Sequence, residues 1–564
     1  MRAHLSHGEP PLASRMMRAT WRKKLPAGPY DVGCERGIAV PAADGSPLLT
    51  DHYFPRAEGE FPTLLVRSPY GRGVPWSPMY GMLFAEQGFH VVLQSCRGTA
   101  GSGGSFDLWR NEPADGQAAV VWLREQPWFN GLLGTAGPSY LGYTQWALAL
   151  DPPPELKAMA IQVGLHDPHA LFPTGSALHL EYALVGGAGI TYQHRGAVAF
   201  GRAVLRLQRQ LRRITAARPL RGAHVAALGQ VPWLDGAMSH PDPADPYWEG
   251  ASLAGAAERV TVPVGLVSGW YDVLADQGFE QYARLRKAGV DTALLVGPWT
   301  HNSAMQQGWP EVFAETLGWL RAHLCDDPSG LRPTGVRVHV GGSGEAGSSG
   351  KAGGAGEGEW RDLEEWPPVP GGEPGARSWF PAPDGQLLRQ AATDTEPLAS
   401  FRYDPADPTP SVGGAVLSPG SGPRDNTALE ARDDVLTFTG PALTEPLEVL
   451  GPVSARLRIA TDTGFADVFV RLCDVDAKGR SVNVCDGIAS IRTAPGETAD
   501  EPLGIAMGST AHRFAVGHRV RLQISGGAHP RYARGSGTGE PSLDATTLVL
   551  VRITVHGGSA LELP

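Results

Sequence analysis

Cysteine is scarce in this chain, and long apolar runs are missing. The 564 residues contain only five cysteines, which form no Cys-x-x-Cys pair: Cys34, Cys96, Cys325, Cys473 and Cys485. Such scattered cysteines give no sign of a disulfide framework or a zinc site, and we expect reduced thiols. No apolar run approaches the roughly 18 residues needed to cross a bilayer. We therefore expect a soluble protein that uses neither a metal nor a cofactor.

Positive charge is also in deficit. Lysine and arginine number 48 against 58 aspartates and glutamates, which gives a net charge of −10. An acidic balance of this kind disfavours nonspecific binding to nucleic acid. The N-terminal residues are basic but lack the apolar segment of a secretory signal. The sequence thus favours a cytoplasmic protein with a flexible tail over residues 1–29.

Glycine and proline are abundant, with 73 and 49 residues. Because no Gly-X-Y period accompanies them, they indicate loops and turns and exclude a collagen-like chain. Residues 343–358 are a low-complexity run of mainly glycine, serine and alanine, which is typical of a flexible loop. The chain is too long for one hydrophobic core, so more than one packed unit is expected.

Strand-like and helix-like segments alternate in two stretches, residues 30–153 and 254–375. The predicted strands cover residues 63–66, 91–94, 132–136, 262–267 and 294–296, and the predicted helices cover residues 114–125, 140–150 and 277–287. Alternation of this kind predicts an α/β core with a largely parallel sheet that is covered on both faces.

The residues between these stretches, 154–253, differ in composition. Residues 197–217 favour a helix and are rich in arginine, which we interpret as a solvent-exposed face. We therefore expect a helical cap inserted into the α/β core. Beyond residue 376 short strands punctuated by glycine and proline take over, and they predict a β-sandwich or jelly-roll domain over residues 376–564.

A candidate nucleophile, Ser139, stands at the corner between a predicted strand and a predicted helix. In a nucleophile elbow the backbone at the serine is strained, so the neighbouring residues must be small, and the helix N-terminus faces the developing oxyanion. Gly137 meets this requirement, whereas the second glycine, Gly142, comes one position later than in Gly-x-Ser-x-Gly. A glycine-rich turn with an incidental serine is the alternative.

Two further polar residues follow predicted strands, in the order acid then histidine. Asp272 comes after the strand over 262–267, and His301 comes after the strand over 294–296. In a triad His301 would take the proton of Ser139 and Asp272 would orient the imidazole, while the backbone N–H of Tyr140 would bind the oxyanion. A helix-capping Asp272 and a loop His301 without a role are the alternatives. The joint occurrence at three strand ends favours catalysis.

Three segments together carry a resemblance to a known family: GPSYLGYTQWALA at 137–149, SGWYD at 268–272 and GPWTH at 297–301. They resemble the cocaine esterase-type (CocE/NonD) hydrolases, which are related to the X-prolyl dipeptidyl peptidases and the α-amino acid ester hydrolases. The resemblance covers nearly the whole chain. It implies an α/β-hydrolase core, an inserted helical cap and a C-terminal jelly-roll (galactose-binding-like) domain.

The same resemblance implies a second oxyanion donor. The family places a tyrosine hydroxyl in an Arg-x-Pro-Tyr motif, which here ends at Tyr70, so Tyr70 takes that role. One departure is that Ser95 stands where the family usually has the aspartate of Asp-x-Arg-Gly, which leaves the ion pairing of Arg97 open. The run over 343–358 looks like an insertion absent from typical members.

The substrate is not fixed by these residues. A triad with an oxyanion hole establishes acyl transfer, and we expect hydrolysis of a small-molecule ester or amide through a covalent acyl-enzyme. An X-prolyl dipeptidyl peptidase or an α-amino acid ester hydrolase would need carboxylates that bind a free ammonium. Asp167 and Glu181 are candidates, although surface solvation is the simpler role for each.

Other residues offer weaker indications of a binding site. Trp270 and Trp299 flank the candidate catalytic loops and are candidates for an aromatic acyl pocket, with buried packing as the alternative. His166 and His169 have His-x-x-His spacing without further ligands, so we expect no metal there.

Two more functions stay open. An acyltransferase would pass the same acyl-enzyme to an amine or an alcohol, and an inactive binding protein would use the jelly roll alone. We expect a small acyl compound as the partner and neither nucleic acid nor a membrane, while a homo-oligomer is compatible with the sequence.

Overall fold

The fold is given by a computed structural model that describes residues 8–21, 24–172, 177–342, 358–368, 377–391, 395–499 and 501–564. The first seven residues of the predicted tail lie outside the described residues. So do residues 343–357 of the predicted glycine-rich insertion.

A ten-stranded sheet forms the centre of the N-terminal part. Its strands are β1 Val32–Pro41, β2 Pro47–Pro55, β3 Thr63–Ser68, β4 His90–Ser95, β5 Leu133–Pro138, β6 Leu156–Gln162, β7 Val264–Tyr271, β8 Thr292–Thr300, β9 Val336–Val340 and β10 Glu359–Leu363. The spatial order is β1-β2-β4-β3-β5-β6-β7-β8-β9-β10. From β4 to β9 all neighbours pair in parallel, and the outer pairs are antiparallel. The predicted α/β-hydrolase core is therefore confirmed.

Helices cover both faces of this sheet, as near-continuous apolar strands require. The helices outside the cap are α1 Leu12–Thr20, α2 Leu83–Glu86, α3 Glu112–Arg124, α4 Tyr140–Ala149, α9 Ala275–Lys287, α10 His301–Ala304 and α11 Trp309–Leu324, with a π-helical turn over Ser77–Met82. All ten residues of α4 are buried, which explains why its sequence is apolar on every side. The core thus lies in two layers, one on each face.

The prediction of a flexible tail is wrong for residues 12–20, which form α1. Its Arg18 is buried and donates three hydrogen bonds to Glu86, from Nε to Oε1 at 2.9 Å, from Nε to Oε2 at 3.1 Å and from Nη2 to Oε2 at 2.5 Å. Ser14 accepts a hydrogen bond from Ser77 at 2.8 Å. A basic segment that looks unstructured by composition is thus held against the core by a partly buried ion pair and a hydrogen bond between two serines.

The cap consists of α5 Leu180–Tyr192, α6 Ala197–Thr215, α7 Val225–Leu228 and α8 Pro232–Ser239. Its predicted start at residue 154 is wrong, because β6 pairs in parallel with β5 and β7 and so belongs to the core sheet. The arginines of α6 are exposed, and its buried side faces the cap interior. Within the described ranges, no helix combines the length and apolar character needed to cross a bilayer.

A second ten-stranded sheet makes up the C-terminal part. Its strands are β11 Ser378–Ala382, β12 Gln386–Leu388, β13 Pro397–Tyr403, β14 Val435–Thr439, β15 Leu447–Thr461, β16 Phe465–Val475, β17 Ser481–Arg492, β18 Leu503–Phe514, β19 Arg519–Ser525 and β20 Val551–Glu562, and one short helix is α12 Thr427–Glu430. The end strands β17 and β18 are in contact, so the sheet is nearly closed around an apolar core. This confirms the predicted β-rich domain.

Candidate active site

The candidate catalytic residues follow three parallel strands of the core sheet. Ser139 follows β5, Asp272 follows β7 and His301 follows β8. These strands are joined through β6 in one parallel array. Because the carboxyl ends of parallel strands meet at the same edge, the fold brings all three residues to one side of the sheet.

The backbone at Ser139 has the strained conformation of a nucleophile elbow. Its φ is 59° and its ψ is −124°, a left-handed region that non-glycine residues rarely adopt. A Cβ at Gly137 would lie 2.4 Å from Cβ of Leu141, and a Cβ at Gly142 would lie 2.9 Å from Cγ2 of Ile161. Both glycines are therefore required, and the second stands at 142 because that position contacts β6.

A buried glutamine holds this turn in place. The amide nitrogen of Gln145 donates to the carbonyl oxygens of Gly137, Leu141 and Ala160, each at 3.2 Å. Its side-chain oxygen accepts a hydrogen bond from Thr135 Oγ1 at 2.9 Å. Sequence reasoning missed this residue, whose polar character in an otherwise apolar helix was the available signal.

His301 and Asp272 form a short hydrogen-bonded pair. The distance between His301 Nδ1 and Asp272 Oδ1 is 2.7 Å, and the same oxygen accepts the N–H of Leu274 at 3.1 Å. Asp272 is 3% exposed, so its charge is shielded from water. His301 is fixed from the other side because Thr300 and Ser303 cap the short helix that it begins. Asp272 thus caps its own turn and binds the histidine.

Tyr70 lies beside the candidate nucleophile. Its Oη is 3.4 Å from Ser139 Oγ, and its ring stacks on Trp76 with ring centres 5.4 Å apart. Burial raises the pKa of Tyr70, so its hydroxyl stays protonated and can donate at neutral pH. Tyr140 begins α4, which places its backbone N–H at the helix N-terminus. In the described part of the chain, no hydrogen bond joins Ser139 to His301.

A buried ion pair links the segments that carry Tyr70 and Tyr140. Arg67 Nη1 is 2.8 Å from Glu112 Oε2, and both side chains are nearly inaccessible. The Tyr140 hydroxyl donates to Glu112 Oε1 at 3.2 Å, and Arg67 Nε donates to Gln94 at 2.9 Å. The arginine of the Arg-x-Pro-Tyr motif is thus a structural residue that ties the Tyr70 loop to α3 and α4.

Arg97 has ion pairs despite the serine at position 95. Its guanidinium binds Asp115 at 2.6 Å and Asp44 at 2.5 Å. The hydrogen bond from Arg97 lowers the pKa of Asp44 to about 2. The carboxylate that the sequence lacks next to Arg97 is replaced by carboxylates from α3 and from the turn between β1 and β2.

The two candidate pocket tryptophans make packing contacts. The indole N–H of Trp270 donates to the carbonyl of His339 at 2.7 Å, and its ring stacks on Phe279 with centres 5.7 Å apart. Trp299 is 7% exposed and packs against Trp360 with centres 5.8 Å apart. These contacts favour the packing role for both rings.

The two candidate acids of the cap region bind backbone groups. Glu181 is 6% exposed and accepts the N–H groups of Leu417 and Ser418. Surface solvation was therefore the wrong expectation for Glu181, because the C-terminal domain covers it. Asp167 accepts the N–H of His169 at 2.9 Å.

The two histidines of the His-x-x-His pair bind different segments. His166 Nδ1 is 3.1 Å from the side-chain nitrogen of Gln281, and its Nε2 is 3.4 Å from Glu280. His169 Nε2 is 3.0 Å from the carbonyl of Pro241. The His-x-x-His spacing therefore belongs to a loop that is bound by α9 through His166 and by the segment at Pro241 through His169.

Sequence comparisons point to enzymes that cleave esters and peptides. Residues 44–303 match the family described as X-Pro dipeptidyl-peptidase (S15 family), and residues 334–561 match the X-Pro dipeptidyl-peptidase C-terminal non-catalytic domain. The chain is 31% identical over 550 residues to cocaine esterase of Rhodococcus sp. (strain MB1 Bresler), which covers 91% of this chain and 93% of that protein.

Two solved structures have the same overall fold. An α-amino acid ester hydrolase has a TM-score of 0.77 at 21% identity, with 95% of this chain and 97% of that chain covered. An aminopeptidase from a marine sediment archaeon, Thaumarchaeota archaeon, has a TM-score of 0.75 at 20% identity, with the same coverage of 95% and 97%. At such identities the likeness shows the fold alone.

Proposed function

This chain belongs to the cocaine esterase-type family of serine hydrolases, and we propose that Ser139, His301 and Asp272 are its catalytic triad. Tyr70 and the backbone N–H of Tyr140 complete the proposal as the oxyanion hole. One observation carries it: a serine at positive φ, at a strand-to-helix corner, with its Oγ beside the hydroxyl of a partly buried tyrosine.

The proposed reaction begins with proton transfer from Ser139. Because Nδ1–H of His301 donates to Asp272, Nε2 is free to accept the serine proton while Oγ attacks the substrate carbonyl. The negative charge that develops on the carbonyl oxygen is bound by Tyr70 Oη and the N–H of Tyr140. His301 then protonates the leaving alcohol or amine, which departs and leaves an acyl-enzyme. Water activated by His301 releases the acid and regenerates Ser139.

This mechanism requires one side-chain rotation. Ser139 Oγ now faces Tyr70, and rotation about χ1 into another staggered position is proposed to bring it to His301. Catalytic hydrogen bonds are often long or absent until substrate binds, so the arrangement is compatible with the proposal.

We propose a small-molecule ester as the substrate, with amides second. The contacts of Glu181 support this choice, because both of its carboxylate oxygens already accept backbone N–H groups. Asp167 accepts one backbone N–H through Oδ1. The same acyl-enzyme could be transferred to an amine or an alcohol, which product analysis with added acceptors would reveal.

One observation favours a second candidate, an enzyme that acts on substrates with a free amine. Asp276, in the first turn of α9 and four residues after Asp272, retains accessible surface and makes no hydrogen bond or ion pair with the described residues. Such a carboxylate could bind an ammonium group.

Kinetics with matched substrates separate the two candidates. We expect p-nitrophenyl acetate to be hydrolysed by the wild type, and Ser139→Ala to lose at least about 10³-fold in kcat. If turnover is confined to Ala-Pro anilides and amino esters and is lost in Asp276→Asn, the ester proposal is wrong and the amine-directed candidate is right.

The remaining predictions from the sequence become part of this proposal. They are a small acyl compound as partner, a cytoplasmic location, a jelly-roll connection of the C-terminal strands and the option of a homo-oligomer. Gel filtration with light scattering tests the last of these directly.

A further inference from the structure

A loop of the C-terminal domain reaches the catalytic edge of the core. This Leu417 loop, residues 414–422, is closed at its base by two backbone hydrogen bonds between Gly414 and Gly422, each 2.9 Å long. At its tip the side-chain nitrogen of Asn302 donates to the carbonyl of Leu417 at 2.8 Å. Because Asn302 directly follows His301, the loop tip lies next to the proposed catalytic base.

The cap binds the same tip from the other side. Glu181 Oε2 accepts the N–H of Leu417 at 3.1 Å, and Oε1 accepts the N–H of Ser418 at 2.8 Å. Both carboxylate oxygens are used, so a glutamine would bring its NH₂ group against one of these N–H donors. Hydrogen bonds to a charged acceptor are roughly twice as strong as neutral ones. The contact is therefore specific for a carboxylate.

The side chain of Leu417 lies against α5. A Cβ at Gly186 would be 3.7 Å from Leu417 Cδ1 and 3.6 Å from Tyr182 Cε1, so the leucine and the tyrosine ring both lie beside this glycine. Burial raises the pKa of Tyr182, and Tyr70 and the Asp272 carboxylate raise it further. The carbonyl of Leu417 is bound by Asn302, the residue after His301, so Leu417 brings an apolar surface towards the proposed catalytic base.

We propose that Glu181 is a positioning residue that holds Leu417 beside Tyr182 as the wall against which the apolar part of a bound ester packs. The inference rests on the proposed function, since it takes Ser139 and His301 as the reacting residues. Glu181 itself contacts no reacting atom and acts through two backbone N–H groups. The core and the cap thus both bind Leu417 of the C-terminal domain, the core through Asn302 and the cap through Glu181.

A second cap contact with the C-terminal domain provides the matched control. Arg221, between α6 and α7, binds Asp544 through two hydrogen bonds of 2.6 and 2.8 Å, and neither residue contacts the Leu417 loop. If Glu181 only joined two domains, Asp544→Asn would have similar consequences. If Glu181 positions the wall, Asp544→Asn leaves the kinetics unchanged.

The test measures kcat/KM for p-nitrophenyl esters of increasing acyl length and for acetates of increasingly large alcohols. We expect Glu181→Gln to lower kcat/KM for the larger esters of at least one series by about 10-fold or more, mainly through KM, and p-nitrophenyl acetate by less than about threefold. Leu417→Ala should show the same dependence on size, and it carries the test if Glu181→Gln does not fold.

Three results would overturn the inference. They are an equal loss on all esters, no loss on any ester, or the same loss in Asp544→Asn. Labelling of Ser139 with a fluorophosphonate is measured in the same preparations. If Ser139 is labelled and the size dependence is missing, the positioning role fails while the proposed function stands. If Ser139 is not labelled in the wild type, the proposed function fails and the inference fails with it.

Discussion

Replacing Tyr70 by phenylalanine removes one proposed oxyanion donor and keeps the aromatic ring. The ring stacks on Trp76 and packs, partly buried, against the core, and phenylalanine preserves this packing. What disappears is the hydroxyl that lies 3.4 Å from Ser139 Oγ. The substitution therefore changes the chemistry of the site with little change in its shape.

The size of the effect follows from the difference between ground and transition states. The 3.4 Å contact is long for an O–H···O hydrogen bond, so its loss should change the free energy of unfolding by less than about 1 kcal/mol. In the transition state the same hydroxyl would face a full negative charge, and loss of such a donor typically costs about 10²–10³ in kcat. We therefore expect Tyr70→Phe to fold normally and to lose about 10²-fold or more in kcat.

The assay compares steady-state hydrolysis of p-nitrophenyl acetate with urea unfolding. Tyr53→Phe is the matched control, because Tyr53 is a buried tyrosine whose hydroxyl donates to Ser77 at 2.9 Å. It should keep kcat within about threefold while losing about 1 kcal/mol of stability. If Tyr70→Phe keeps kcat within the same range as Tyr53→Phe, the proposed role of Tyr70 is refuted.

Three further substitutions test other parts of the structure. Asp272→Asn should lower kcat by about 10⁴-fold, because a carboxamide favours the wrong histidine tautomer. The measurement is the hydrolysis of p-nitrophenyl acetate, and a loss of less than about tenfold in kcat would contradict the role of Asp272. Arg67→Met should lower the free energy of unfolding in urea by about 3–5 kcal/mol, because Glu112 would be left as an unpaired buried charge; an unchanged midpoint would contradict the structural role. Burial lowers the pKa of His52 and lowers that of His90 to about 4. Between about pH 6.5 and 4 the unfolded chain therefore binds protons that the folded chain does not, so the free energy of unfolding decreases as the pH is lowered. The fall of Tm over this range should be smaller in His90→Gln, and an unchanged slope would show that the pair is not its source.

Local patterns were sufficient for five of the ten strands of the core sheet. The predicted strand over 132–136 corresponds to β5 and the predicted helix over 140–150 to α4, because apolar runs and glycine turns carry that information in neighbouring residues. The same holds for Ser139, whose strained backbone requires a small residue at Gly137, beside Leu141. These features depend on contacts between residues that are close in sequence.

Features that depend on distant partners were not predictable. Helix α1 is held by the pair of Arg18 with Glu86, and Arg97 takes its carboxylate from Asp115 in place of residue 95. The residues next to Arg18 and Arg97 in the sequence do not predict which carboxylates these arginines bind. Glu181 is the clearest example, because an acid of the cap acquires its role from backbone groups more than two hundred residues away.

The identity of the nucleophile is the central claim, and covalent labelling tests it most directly. The protein is treated with a fluorophosphonate, digested, and the modified peptide is located by mass spectrometry. The account predicts a single adduct on Ser139, which is absent in Ser139→Ala and forms far more slowly in His301→Ala. An adduct on another residue, or undiminished labelling of Ser139→Ala, would contradict it.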